Sequence, residues 1–243
     1  VTIRSMKLHG GAFGERGGCR PTAGELAAEN VDAVIAGASG NLDRHIRNMA
    51  GFGMPVVVSI NRFSTDTDAE LAALEDAARA SGATSVQLCE VHANGGAGGE
   101  ELAKAVVSAV HDHVAAGRPF TPLFMPNAGI REKIVSIATR IYKAEGVKID
   151  ASAEKQLALI EKWGYGELPV CMAKTQYSFS HDPNLLGSPS GFTVPIKEFR
   201  LNAGAGFVVA ICGNMMTMPG LPKRPAALDM DMDENGNLIG VFG

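Results

Sequence analysis

The residues best suited to ligand binding follow a buried-type strand within 55–66, PVVVSINRFSTD. Its continuous apolar run is typical of a strand covered on both faces, and it ends in polar groups around one aromatic residue, Phe63. A second strand-like segment, SVQLCEV, is followed directly by His92. An aromatic ring and an imidazole at neighbouring strand ends could clamp a flat heterocycle. Ligands of open α/β sheets bind outside the carboxyl ends of the strands, so we predict one site there.

Other candidate ligand groups lie beside these two. Glycines after His92 leave room for a ligand and present backbone N–H groups at a helix start, which suits an anion. A third strand-like segment, LPVCMA, leads into a polar loop, KTQYSFS. The predicted ligand edge therefore also includes Asn61, Gly95, Gly96, Lys174, Thr175, Gln176 and Tyr177. Each of these features also has a purely structural explanation. Phe63 could lie in the core or at its rim, His92 could be solvated, and the polar loop could be a turn that satisfies its own backbone groups.

The elements that position these residues alternate between strand and helix. We predict a strand end and a glycine-rich loop at 1–22, a short helix at 23–30 and a strand at VDAVIAG (31–37). Asn41 is the expected N-cap of a helix that ends at Gly51 and Gly53. Helices follow at 68–81 and 99–115, the second with its apolar residues, Leu102 to Val114, on one stripe. This alternation predicts βαβ units and an α/β fold with a parallel sheet flanked by helices.

The second half of the chain has a different pattern. RPFTPLFMP (118–126) reads as a connection, and helices are predicted at 130–144 and from Ser152 to about Trp163. The strand-like segments after them, FTVPIKEFRL, GFVVAICG and NLIGVFG, have a more antiparallel pattern. We therefore predict two domains, 1–125 and a smaller α+β domain at 126–243.

Composition excludes several function classes. A net charge of −4 gives no general attraction to nucleic acid or anionic membranes, and no apolar run approaches the ~20 residues of a membrane span. The cysteines lack zinc-site spacing, and Cys89, Cys171 and Cys212 are expected to be buried free thiols of a cytoplasmic protein. DMDMDENG (229–236) begins like a calcium loop, but Phe242 stands where the bidentate Glu is needed. No metal site is predicted.

The strongest catalytic motifs do not occur. The sequence has no GxxxxGK(S/T) phosphate loop, no GxGxxG after a strand, no HExxH and no GxSxG. The Asn-Arg-Phe-Ser at 61–64 partly matches the guanine-reading loop of GTPases, N-K-x-D. Ser64 stands where that loop has its base-reading Asp, which argues against guanine.

Longer strings resemble one family. INRFSTDTDAE, CEVHANGGAGGEELA, GYGELPVCMAKTQYSFS, AGAGF and MMTMPGLPKRPAA look like formate–tetrahydrofolate ligase, also called 10-formyltetrahydrofolate synthetase. The likeness runs from the Lys-Leu-His-Gly-Gly at 7–11 to the final Gly-Val-Phe and corresponds to the C-terminal portion of that enzyme. It implies a P-loop-NTPase-like sheet whose phosphate loop and main catalytic groups lie in the N-terminal part. The start at Val1, without Met, is consistent with a fragment.

The resemblance also implies the chemistry. In this family ATP, with magnesium, phosphorylates formate, and the folate N10 amine then attacks formyl phosphate to give 10-formyltetrahydrofolate. A monovalent cation takes part in some relatives. Such transfers depend on positioned charges and donors more than on a protein nucleophile. The implied partners are small-molecule substrates, with no nucleic acid and no membrane, and a homo-oligomer is possible.

The family's pterin pocket maps onto three residues of this sequence. The Phe of its N-R-F-P-T-D motif matches Phe63, the Trp of its E-V-W-A-K-G-G motif falls on His92, and a Leu before that motif matches Leu88. Ser64, His92 and Asn94 replace the family's Pro, Trp and Lys. Imidazole stacks over less area than indole, so weaker folate binding is expected. A naturally short, non-catalytic folate- or nucleotide-binding module and a GTPase-like fragment are the alternative functions.

Overall fold

The computed structural model describes residues 1–11, 21–215, 223–234, 236 and 238–239. They form two units, Val1–Gly213 and Asn214–Gly243, each treated separately below. The α-helices are α1 (Ile3–His9), α2 (Ala23–Ala27), α3 (Val31–Gly37), α4 (Asp43–Ala50), α5 (Asp68–Ala80), α6 (Val91–Asn94), α7 (Glu100–Ala115), α8 (Ile130–Ser136) and α9 (Ala151–Lys162). One turn of π-helix follows α3 (Ala38–Leu42) and another follows α8 (Ile137–Ile141).

The strands of the described residues form three sheets. They are β1 (Val57–Asn61), β2 (Ser85–Cys89), β3 (Gly146–Ile149), β4 (Val170–Ala173), β5 (Thr193–Asn202), β6 (Phe207–Cys212), β7 (Asp231–Met232) and β8 (Leu238–Ile239). β1 and β2 pair in parallel, and a second sheet has the order β3-β5-β6-β4. In that sheet β3–β5 and β4–β6 are parallel and β5–β6 is antiparallel. β7 and β8 pair antiparallel in the second unit.

The parallel strands with flanking helices confirm the predicted α/β class. The apolar run of β1 is packed by α5, whose Leu71, Leu74 and Ala78 are buried as predicted. α5 begins with a capping box, because the Thr67 side chain accepts from the Glu70 N–H and the Glu70 carboxylate accepts from the Thr67 N–H. A separate hydrophobic cluster lies between the second sheet and helices α8 and α9.

One segment predicted as a strand, and another predicted as a strand end and loop, contain helices. VDAVIAG forms α3, capped by Asn30, whose side-chain oxygen accepts from the Ala33 N–H at 3.0 Å. A short apolar run fits a strand and a buried helix equally well, which explains the error. The predicted strand end at residue 1 is followed at once by α1, whose Thr2 forms a capping box with Ser5. The predicted loop continues over residues 12–20, which lie outside the described part.

Glycine lets α1 and α3 pack backbone against backbone. A Cβ on Gly10 would lie 1.9 Å from the Ala33 oxygen, and one on Gly37 would lie 2.1 Å from the Met6 oxygen. Neither distance is compatible with a side chain. The helical pairing therefore requires glycine at both positions, a constraint that no strand in this place would impose.

The chain continues without a break from α3 through the π turn into α4, so Asn41 is not the N-cap that the sequence suggested. It is buried, and its side-chain amide donates to the Gly187 oxygen at 3.3 Å. The C-terminal end at Gly51 agrees with the prediction.

The apolar stripe predicted on α7 forms, but much of it is exposed to solvent. Val106, Val110 and Val114 are 44%, 51% and 70% exposed, whereas Ala109 is buried. Cys171 is exposed, contrary to the prediction, while Cys89 and Cys212 are buried; Cys19 lies outside the described part. Within the described ranges, no helix has the length and apolar character to cross a membrane.

A buried ion pair joins three helices of the first unit. Lys7 Nζ on α1 lies 2.6 Å from Glu70 Oε1 on α5, and both side chains are at most 1% exposed. Lys7 also donates to the backbone oxygens of Leu26, at 3.1 Å, and Ala28, at 2.8 Å. Burial raises the pKa of Glu70, but hydrogen bonds from Lys7 and two backbone N–H groups outweigh it, so that the pKa is lowered overall.

We predict that Glu70→Gln destabilises the fold by about 3–5 kcal/mol, because it leaves the Lys7 charge buried without a counter-charge. The deficit should shrink at acidic pH, because the stability that a lowered carboxyl pKa contributes is lost as pH falls through the folded-state pKa. Urea unfolding at neutral and acidic pH measures both.

Glu75→Gln on the same helix is the matched control. Its carboxylate pairs with Arg79 on the exposed face, so its loss should cost less than about 0.5 kcal/mol. Equal destabilisation by the two variants would contradict the assigned role of Glu70.

Candidate functional site

The carboxyl ends of β1 and β2 lie side by side. The register pairs Asn61 with Cys89, and the Arg62 N–H extends the ladder by donating to the Cys89 oxygen at 3.1 Å. The Arg62 guanidinium also lies 3.5 Å from Glu90 Oε1. Phe63 and His92 thus follow the ends of directly paired strands, which is the arrangement that the sequence predicted for these two residues.

Phe63 is held by a tight turn. Its N–H donates to Asp66 Oδ2 at 2.8 Å, and the Asp66 N–H donates back to the Phe63 oxygen at 3.1 Å. Asp66 is buried, whereas Phe63 is 37% exposed. The backbone of this aromatic residue is therefore fixed while part of its side chain stays open to solvent, as a stacking ligand would require.

One residue of this site was missed by the sequence analysis. The Arg4 guanidinium carbon lies 4.1 Å from the centre of the Phe63 ring, and Arg4 Nη2 donates to Thr65 Oγ1 at 3.3 Å. Its Nε is buried and, within the described part of the chain, has no hydrogen-bond partner. Arg4 was overlooked because α1 was not predicted; the Thr-x-x-Ser capping signal at 2–5 could have revealed the helix.

His92 lies on the exposed single turn α6, which leads into a turn of 3-10 helix at Gly95–Gly99. Gly95 has a positive φ of 58°, and a Cβ on Gly98 would lie 2.5 Å from the Glu90 oxygen. Gly96 has open space where a Cβ would be. The glycines thus serve the fold at 95 and 98 and leave room at 96.

Leu88 and Asn61 lie on the same two strands. Leu88 is 40% exposed and lines a groove of about 730 Å³ between α5 and the start of α7, where neither Phe63 nor His92 is a lining residue. The N–H of Asn61 donates to the Val1 oxygen at 2.8 Å, which places residue 1 along the edge of β1 that faces away from β2.

The Lys174–Tyr177 segment lies elsewhere. It follows β4, which belongs to the second sheet, so the three strand ends do not share a single sheet edge. Lys174 Nζ donates to the backbone oxygens of Thr175, at 2.9 Å, Ser178 and Ser180, and burial lowers the pKa of Lys174. Thr175 is buried, and Gln176 and Tyr177 line a cavity of about 450 Å³ beside α4.

Comparison with known sequences identifies the family of this chain. The family model described as formate–tetrahydrofolate ligase matches residues 1–242. The chain belongs to the formate–tetrahydrofolate ligase family. It is 49% identical to a formate–tetrahydrofolate ligase from Paracoccus denitrificans and 47% identical to one from Methylorubrum populi, each over 242 residues. A third relative, from Allorhizobium ampelinum, is 48% identical.

The chain is a partial match to these ligases. In each of the three comparisons the alignment covers 100% of this chain and 41% of the relative's length. What a whole ligase of this family binds and converts therefore enters below as a proposal for this chain.

We predict that Asp66→Ala speeds hydrogen exchange of the Phe63 amide by at least about tenfold, because it removes an acceptor worth about 1.5 kcal/mol or more. Heteronuclear NMR, or hydrogen–deuterium exchange followed by mass spectrometry, measures the exchange rate of this amide. Asp68→Ala is the control, since that carboxylate is 99% exposed and its ion-pair partner is the Arg62 guanidinium, 3.8 Å away. An unchanged Phe63 rate in Asp66→Ala would show that the turn does not depend on this bond.

Proposed function

We propose that this chain is the folate-side part of a formate–tetrahydrofolate ligase. The observation that carries the proposal is the position of Phe63 and His92, the two residues that match the family's stacking aromatics, at the adjacent ends of paired strands. The Phe63 ring would form one wall of a pterin pocket, and His92 would form the opposing wall. Leu88, which matches a family residue near the formyl-transfer centre, would approach the reacting end of the folate.

The reaction proposed for the whole ligase has two steps. ATP, bound with magnesium, transfers its terminal phosphoryl group to formate, which gives formyl phosphate and ADP. The N10 amine of tetrahydrofolate then attacks the formyl carbon, phosphate leaves, and the amine loses a proton. This chain would bind and orient the folate, and the open space at Gly96 would leave room for it. The Gly95 N–H is not available to an anion as the sequence suggested, because it donates to the Val91 oxygen.

The described residues contain no group of three or more His, Cys, Asp or Glu side chains suited to a metal ion. We propose that the remainder of the ligase holds ATP with its magnesium and any monovalent cation. A GxxxxGK(S/T) phosphate loop does not occur in these 243 residues, which supports that assignment.

We also propose that β1 and β2 belong to a larger, P-loop-like parallel sheet. Support comes from Val1, whose oxygen accepts from the Asn61 N–H at 2.8 Å, so that backbone also pairs along the edge of β1 that faces away from β2. The separate hydrophobic clusters before residue 87 and after residue 129 support a domain boundary near 125 within the first unit. Cytoplasmic location and a homo-oligomeric state stay predictions.

We predict that Phe63→Ala weakens tetrahydrofolate binding by about 1–3 kcal/mol, or about 5- to 150-fold in Kd, through loss of ring stacking. Trp163→Ala is the control, since Trp163 is a 59% exposed aromatic residue at the end of α9. Calorimetric titration measures both. If the two variants bound equally well, Phe63 would have no place in the folate site.

We predict that His92→Trp tightens tetrahydrofolate binding, because indole offers a larger stacking surface than imidazole. His113→Trp on α7 is the matched control for a histidine on a different element. The same titration distinguishes them, and weaker binding in His92→Trp would contradict the assignment of this residue to the opposing wall.

We predict that the 243 residues alone form no 10-formyltetrahydrofolate, because they lack the phosphate loop. The chain is incubated with ATP, formate and tetrahydrofolate, acid is added to convert any product, and the absorbance of the converted product is measured. ATP-dependent product formation by the purified chain would overturn this prediction, while folate binding by the same chain would still be open to test.

A further inference from the structure

Arg4 lies in surroundings that are unfavourable for a cation in three ways. It belongs to the first turn of α1, where the helix dipole disfavours positive charge. Among the described residues it forms no ion pair and only one hydrogen bond, from Nη2 to the Thr65 hydroxyl oxygen at 3.3 Å. Its Nε is buried and has no acceptor in that part of the chain, so its desolvation is not compensated. Another contact is needed to hold the side chain in this place.

The contact that holds Arg4 is with the Phe63 ring. The guanidinium carbon lies 4.1 Å from the ring centre, within the distance at which a cation and an aromatic face attract each other. A planar guanidinium also stacks on such a face, which an ammonium cannot do. Arg4 therefore covers one face of the ring. Because Phe63 is still 37% exposed, the opposite face and the edge are the parts that a ligand can reach.

The same guanidinium bridges two side chains of the turn at 63–66, called the Phe63 turn below. Asp66 fixes the backbone of this turn, since its Oδ2 accepts from the Phe63 N–H at 2.8 Å. Arg4 contacts the Phe63 ring and the Thr65 hydroxyl. Backbone and ring are thus held by different residues, so the orientation of the ring can be altered without removing the hydrogen bond that closes the turn.

The helix that carries Arg4 is itself anchored. Lys7, three residues further along α1, lies in the interior with its Nζ 2.6 Å from Glu70 Oε1. The guanidinium therefore approaches the Phe63 ring from a fixed direction. A ring that is oriented before binding loses less conformational entropy when a ligand stacks on it, and this raises affinity.

We propose that Arg4 is a positioning residue of the folate site, which holds the Phe63 ring by one face and directs the pterin to the other. Arg4 acts through the ring and does not itself contact the pterin. The inference rests on the proposed function, because it takes Phe63 as a wall of the pterin pocket.

The test is calorimetric titration of tetrahydrofolate into the intact chain and three variants. Arg4→Met keeps an unbranched side chain but removes the guanidinium, and it should raise Kd at least about fivefold. Arg4→Lys keeps a cation without the planar group, so its Kd should fall between those of the wild type and Arg4→Met. Arg200→Met is the matched control, because Arg200 lies on β5 and pairs with Glu198 there. Its Kd should stay within about twofold of the wild-type value.

Two NMR measurements separate ring positioning from a general structural role. Hydrogen exchange of the Phe63 amide should be equally slow in Arg4→Met and the wild type, because Asp66 holds that N–H in both. In the wild type, nuclear Overhauser contacts between the Arg4 side chain and the Phe63 ring should persist when tetrahydrofolate is bound.

Weaker binding by Arg4→Met, with slow Phe63 amide exchange and a persistent contact between Arg4 and the ring, supports the inference. Wild-type affinity in Arg4→Met, faster amide exchange in that variant, or loss of the contact on binding overturns it. The proposed function survives these three results as long as Phe63→Ala binds more weakly than the wild type. Equal binding by Phe63→Ala, or no binding by the wild type, overturns the proposed function and this inference with it.

Discussion

The ion pair between Lys7 and Glu70 is the interaction on which the first unit depends. It lies in the interior, 2.6 Å long, and ties α1 and the end of α2 to α5, the helix that shares a hydrophobic cluster with β1 and β2. A buried charge is tolerated only when its partner and its remaining hydrogen bonds are all in place, so the pair fixes α1 in one position against the sheet. The Phe63 turn and the cavity beside α4 both use side chains from that helix.

α1 contributes a side chain to the Phe63 turn and another to the cavity beside α4. Arg4 packs over Phe63 at the end of β1, and His9 lines the cavity beside α4. The two residues are five positions apart, which is a rise of about 7.5 Å and a rotation of about 140° on an ideal helix. Arg4 and His9 therefore point to different sides of one short element, so a displacement of α1 would disturb both sites together.

Local signals in the sequence predicted the elements that have their own caps and amphipathic faces. α5, with Thr67 and Glu70 at its start and Leu71 and Leu74 inside, needed no tertiary information. The prediction of a strand at α3 was wrong because the apolar run is short. Only the backbone contact of α3 with α1, through Gly10 and Gly37, distinguishes a helix from a strand here. The cavity could not be predicted, since the sequence does not reveal that β4 joins a different sheet from β1.

The candidate site shows the same division between local and tertiary information. Phe63 and His92 could be paired from the sequence because parallel strands bring consecutive strand ends together. Arg4 could not, since its contact with Phe63 exists only once Lys7 has fixed α1. A cation over one ring face leaves the opposite face and the edge for a ligand, and the positive charge would also favour an electron-rich ring stacked on Phe63. Arg4 therefore restricts both the side from which a ligand can approach and the kind of ring that Phe63 can hold.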